Sequence, residues 1–267
     1  DAVAGAAGCR CERVCTMNGA LVVFQLLNGL QLGVLLFLLA AGLTLVFGIM
    51  DFVNLAHGSL YMLGAFLAST FVALTGSFTA GVLLAIPATA LLGMALEMSI
   101  LRTLYARDHL SQVLATFALI LIINEVVRLV WGSDAALPGP AALAGPVELV
   151  PGLYYPSYRL LIIGVGLAVA ILLYVLVAKT RVGMLVRAGA SNREMALAMG
   201  VDIKTLFTLV FGVGAALCAV AGAMLAPLFA VQVGMGENIL ILAFVVIVIG
   251  GIGSIRGALV GAILVGV

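Results

Sequence analysis

Charge is scarce in this chain. Only 9% of its 267 residues are Asp, Glu, Lys or Arg, while 65% are hydrophobic. Soluble domains carry about 25% charge. Too few polar groups exist here to coat a water-facing globule, which excludes an ordinary soluble fold. Histidine is nearly absent at two residues, and tryptophan occurs once. No H-E-x-x-H is present, so a zinc protease has no site. No G-x-S-x-G surrounds the neighbouring His57 and Ser59, so a serine hydrolase is not indicated. A phosphate-binding loop and an Arg-rich voltage-sensing helix are missing as well. The net charge of +1 points neither to nucleic acid nor to an acidic substrate. Cys9, Cys11 and Cys15 crowd the N-terminus with no His or fourth ligand nearby, so no metal centre is assigned. Residues 1–16 read as a non-native or disordered leader. Met17 opens the stretch that leads into the first apolar run, and one membrane domain is expected over 17–267, its last span cut short.

What is abundant is apolar sequence and glycine, the latter at 32 residues. About 20 apolar residues cross the hydrocarbon core as a helix. Such runs fall near 24–50, 57–76, 79–101, 110–131, 158–178, 203–230, 237–250 and 257–267. The expectation is an all-α polytopic helical bundle of about eight transmembrane segments, some of them broken. Basic residues in short loops remain cytoplasmic. Lys179, Arg181, Arg187, Arg193 and Lys204 mark loop 179–204, and Arg102 and Arg107 mark loop 102–109. Both are expected inside with Arg256, and the basic-free 132–157 outside. Trp131, Tyr154, Tyr155 and Tyr158 bracket that outer loop, which suits a position at the membrane–water boundary.

Two regions share a layout of apolar helix, Gly-bearing break and small-residue helix: 43–68 and 244–266. A break within a membrane must be buried in protein or face water. Asn54, His57, Gly58 and Ser59 at the first break, and Gly250, Gly251, Gly253 and Ser254 at the second, are therefore candidates for a translocation path. Other polar residues within spans are Gln25, Asn28, Gln31, Glu97, Asn124 and Glu125. Glu125 stands three residues before Arg128, a spacing that puts both on one helix face, so a structural ion pair is expected there.

In the basic loop, REMALAMG at 193–200 combines good helix formers with a terminating glycine. It fits a short amphipathic helix, and physics alone leaves two readings open: a helix lying on anionic lipid, or one docking in a groove on a soluble partner.

Glu194-Met195-Ala196 followed by Gly200 resembles the cytoplasmic E-A-A-x-x-x-G loop of binding-protein-dependent importer permeases. The family's following I-x-L-P is missing; Val210, Gly212 and Val213 stand there. Residues 26–66, with Asn28-Gly29, Gly48 and Asn54-x-Ala56-His57-Gly58, look like the start of the Liv-type (high-affinity branched-chain amino acid) ABC transporter permeases. GGIGSIRGALVGAILVG at 250–266 is similar to their C-terminal signature. The resemblance implies a transport subunit, not an enzyme. It implies two ATPase subunits as partners, with ATP used there and no cofactor on this chain. It further implies a second homologous permease, a periplasmic binding protein and a place in the bacterial inner membrane. Arg187, Arg193, Glu194, Ala196 and Gly200 would form the ATPase-coupling loop. The implied activity is inward movement of branched-chain amino acids by alternating access. Urea or short-amide import by the same family, and a stand-alone channel or secondary transporter, are the alternatives.

Overall fold

The computed structural model describes residues 2–50, 52, 54–105, 107–140, 143, 145–150 and 153–267, with side chains from residue 21 onward except 149, 150, 153 and 193. The side chains of the expected leader, and Asp51 at the first break, lie outside the described residues.

The chain is a helical bundle. Its helices are α1 (Ala2–Met50), α2 (His57–Thr75), α3 (Phe78–Leu96), α4 (Arg102–Leu104), α5 (His109–Trp131), α6 (Ser157–Lys179), α7 (Arg181–Ser191), α8 (Arg193–Ala198), α9 (Ile203–Leu225), α10 (Met235–Gly250) and α11 (Ile255–Gly266). A π-helical turn at Glu97–Leu101 joins α3 to α4. Among the described residues, six helical stretches are long and apolar enough to cross a membrane: Leu21–Met50, His57–Thr75, Phe78–Leu104, His109–Trp131, Ser157–Lys179 and Ile203–Leu225. A further pair, α10 and α11, turns by 120° at its break. Each of the eight expected apolar runs is thus helical. The run expected to reach 230 stops at Leu225, because Pro227 offers no backbone N–H to continue it.

Polar side chains set the helix starts. Asp108, Thr180, Asn192, Asp202 and Ser254 each accept a backbone N–H of the first turn of α5, α7, α8, α9 and α11. This satisfies donors that have no partner within the helix.

Burial sorts the long helices into a centre and a ring. The buried share is 83% in α1, 78% in α9 and 61% in α2, but 28% in α3, α5 and α6. Small residues hold the centre together, as expected where lipid gives no hydrophobic drive between helices. Gly64 of α2 lies against Ala219 of α9, Gly222 against the Tyr61 carbonyl, and Gly93 of α3 against Ala215. Helix α11 runs back along α1, with Gly253 beside Gly48, Ala262 beside Gly33 and Gly266 beside Gly29.

All the basic loops gather at one end. Arg102 donates to Thr208 near the start of α9, Gly189 of α7 sits by Leu206 and Ile49, and Arg256 donates to the Tyr174 hydroxyl near the end of α6. The opposite end holds Trp131, Tyr154, Tyr155 and Tyr158 and, among the described residues, four short strands. There β1 (Asp134–Ala135) pairs antiparallel with β4 (Val231–Gln232), and β2 (Pro146–Val150) with β3 (Leu153–Pro156). Trp131 donates to Thr70, and the Tyr155 and Arg159 side chains both donate to Asn28. The bracket of aromatic residues is real, but Tyr155 is buried against Phe24 rather than spread along a surface. The hairpin was not visible in a stretch rich in Pro, Gly and Ala.

Candidate functional site

The first break brings the chain back into the bundle. After α1 ends at Met50, Phe52 packs edge-on to Tyr105, whose ring stands edge-on to Phe207. The chain then turns inward, so that α2 starts at His57 beside Gly42 of α1 and Gly214 of α9. Gly42 is eight residues, about 12 Å, from the end of α1. Helix α2 therefore begins deep between the ends of the bundle. The Asn54 side chain accepts the Ala56 N–H and its carbonyl accepts the His57 N–H, which closes the turn. His57 Nε2 lies 3.1 Å from the Cys218 thiol of α9.

Helix α10 also starts inside the bundle, directly against this point. The Gly234 N–H meets the Met62 sulfur, and the Gly236 and Gly58 backbones touch. A Cβ on Gly236 would fall 2.0 Å from the Gly58 carbonyl oxygen. Only glycine permits this approach. Two helix N-termini thus meet in the protein interior, a condition under which broken helices are tolerated in a membrane.

Of the expected path residues, Asn54, His57, Gly58 and Ser59 are all buried at this junction. Gly250, Gly251, Gly253 and Ser254 lie elsewhere, at the basic end. Gly250 packs on Gly257, Gly251 and Gly253 take positive φ in the α10–α11 turn, and Ser254 caps α11. The two breaks contact α1 at Gly42 and Gly48, about 9 Å apart along its axis.

The basic loop forms two helices. In α8, Ala196 is buried, while Glu194, Met195 and Leu197 point outward with Met199 just beyond. Gly200 takes φ +83° and ends the segment, and α9 begins at Ile203. The Arg187 guanidinium donates to the Val177 carbonyl and ties α7 to α6. The side chain of Arg193 lies outside the described residues. A hollow of about 370 Å³ between α7 and α9 opens beside Met199 and Gly200.

A third cluster surrounds Glu97. Its carboxylate is fully buried and accepts the Tyr105 hydroxyl at 2.9 Å, the Thr208 hydroxyl at 2.6 Å and the Arg102 guanidinium at 3.4 Å. The neighbourhood of Glu97 and Arg102 is readable from sequence. Thr208 and the His57–Cys218 contact are not, since more than a hundred residues separate the partners. Glu125 and Arg128 pair at 3.3 Å as their spacing suggests. The Asn124 amide donates to Glu237, the first residue of the run expected at 237–250, at 2.8 Å. Among the described residues no group of three or more His, Cys, Asp or Glu could hold a metal ion.

A multi-pass bundle whose helices start inside its own core belongs to the class of membrane proteins built around a pathway. Comparison with known proteins makes the assignment specific. A family profile described as "Branched-chain amino acid transport system / permease component" matches residues 25–267. The chain belongs to this family. It is similar to the high-affinity branched-chain amino acid transport system permease protein BraD of Pseudomonas aeruginosa, 32% identical over 260 residues, covering 91% of this chain and 83% of BraD. The corresponding LivH protein of Escherichia coli K12 is 30% identical, with the same coverage of each chain. A probable LivH of Methanocaldococcus jannaschii is 29% identical, over 87% of this chain and 75% of its own. No solved structure matches.

Proposed function

We propose that this chain is the membrane-spanning subunit of an ATP-driven, binding-protein-dependent importer of branched-chain amino acids. It works by alternating access in a bacterial inner membrane. Loops 102–109 and 179–204 face the cytoplasm, and 132–157 faces the periplasm. Its partners are two ATPase subunits, a second homologous permease and a periplasmic binding protein. The chain carries no phosphate-binding loop, so the ATP is bound and hydrolysed by those partners.

The observation that carries this reading is the junction of α8 with α9. The apolar side chains of Met195 and Met199, one helical turn apart, are exposed at the basic end, and Met199 lines the hollow next to Gly200. An exposed apolar helix face of this kind suits a groove on a soluble protein. Four residues connect α8 to α9, the second most buried of the long helices. A push on α8 from an ATPase subunit passes along α9 to Gly214 and Cys218, which flank His57. Shifting α9 there would part the seam at which α2 starts. The Asn54 amide and Tyr61 hydroxyl, buried without partners among the described residues, are polar groups that an opened seam would hydrate. The substrate class rests on the relatives' names, together with coverage of nine-tenths of this chain.

The test is competitive uptake by the reconstituted five-component complex. Labelled leucine should accumulate and labelled urea should not. Uptake of urea in preference to leucine would assign the chain to amide import instead.

A further inference from the structure

Charged groups decorate the outside of the bundle where lipid would otherwise lie. Glu125 and Arg128 of α5 are 59% and 60% exposed. Glu237 and Asn238 at the start of α10 are exposed too. Asn124 stands seven residues, about 10 Å, short of Trp131 at the aromatic end of α5. Its bond to Glu237 sets the first turn of α10 at the same depth. Charge facing hydrocarbon at that depth is strongly disfavoured, and such residues face water or protein. Among the described residues, Arg128 bonds only Glu125, and the Glu237 carboxylate only the Asn124 amide.

Below these charges both helices become aliphatic on the same side. Leu121 and Phe117 follow Arg128 and Asn124 down α5 at helical spacing, and Ile241 and Val245 follow Glu237 down α10. All four are exposed. Both helices pack on α2. The face therefore combines two carboxylates and a guanidinium at one level with branched and aromatic apolar groups beneath. A branched-chain amino acid has the complementary layout: an ammonium and a carboxylate at one end, an aliphatic side chain at the other.

We propose that this α5–α10 face is a recognition station for the amino acid in transit. Glu237 and Glu125 meet its ammonium, Arg128 meets its carboxylate, and the aliphatic strip receives its side chain. This rests on the amino-acid importer reading and differs from the two helix breaks, which are buried or lie at the basic end.

The experiment uses the complete reconstituted complex. ATP-dependent leucine uptake by the unaltered complex comes first, and its absence would strike the parent reading and not this one. With that in hand, Glu237→Gln should lower uptake by about tenfold or more, the loss of a charge-assisted contact, while Glu237→Asp retains most of it. In parallel, Asn238→Cys should react with a membrane-impermeant cationic thiol reagent above the level of the parent chain, and Leu129→Cys should not. Leucine-loaded binding protein with ATP should slow the labelling of Asn238→Cys. Undiminished uptake by Glu237→Gln overturns the proposal. So does labelling at 238 that is absent or indifferent to leucine, since the face would then be only a contact with the second permease. Labelling keeps the test decisive if Glu237→Gln fails to reach the membrane.

Discussion

Glu97 shows what a single residue does in this bundle. A buried carboxylate is tolerable when its oxygens are satisfied and a cation is close, and here two hydroxyls and Arg102 supply both. The cluster pins the end of α3 to α9 and, through the Tyr105 ring, to Phe52 in the inward-turning connector. Glu97→Ala should lower stability by about 3 kcal/mol, because it removes one partner of the ion pair with Arg102 and leaves the Tyr105 hydroxyl without its acceptor. Glu97→Gln, which keeps an acceptor, should cost less. Thermal unfolding of the purified protein in detergent measures both. Gly236→Ala is expected to be worse than a usual overpacking change of about 1–3 kcal/mol, since both neighbours of the added methyl are backbone. A blot of membrane fractions should show reduced protein. Asp202 adds a pH dependence. Its hydrogen bonds from the Thr205 hydroxyl and N–H hold its carboxyl below the ordinary Asp value. The stabilisation is therefore complete above about pH 3.9 and disappears as pH falls through the lowered folded-state value. The stability gap between wild type and Asp202→Ala should close across that acid window. At this scale the sequence was a partial guide. Local spacing revealed the Glu125–Arg128 pair and the closeness of Glu97 to Arg102. It could not reveal Thr208 beside Glu97, Cys218 beside His57 or Asn124 beside Glu237, because those meetings depend on how helices far apart in the chain pack.

At the scale of elements, long apolar runs made all eight helical segments legible, and Gly-bearing interruptions made both breaks legible. What an interruption becomes was not. The first turns back into the core and starts α2 there, whereas the second makes a sharp turn at the basic end. Both sequences are apolar, so only the neighbours, α9 and α10 in one case and Gly48 in the other, distinguish them. The strands at the aromatic end escaped notice because two- to five-residue pairings carry no clear period. The α8 segment was readable, since a helix-forming stretch followed by glycine needs no distant partner. Its glycine is now tied to a specific geometry: φ +83°, which proline, fixed near −65°, cannot adopt. Gly200→Pro should leave the protein in the membrane but reduce leucine uptake per ATP hydrolysed. Measuring both rates in the same proteoliposomes checks it, and normal coupling would remove α8 from the mechanism.

The whole molecule is arranged as a centre of α1, α2 and α9 within a ring of peripheral helices. Its basic loops lie at one end, and its strands with Trp131, Tyr154, Tyr155 and Tyr158 at the other. That arrangement agrees with the alternation of charge along the sequence and makes a single topology consistent with both. It also places the exposed α8 segment at the same end as the start of α9, the helix that reaches the buried junction at His57. In the proposed function, movement of the substrate is driven through this connection by ATP hydrolysed on another subunit. Accumulation of labelled leucine in proteoliposomes tests it most directly, comparing the full complex with ATP, the full complex without ATP, and this chain alone. Accumulation is expected in the first case and background in the other two. Leucine flux through this chain alone, without ATPase subunits, would contradict it.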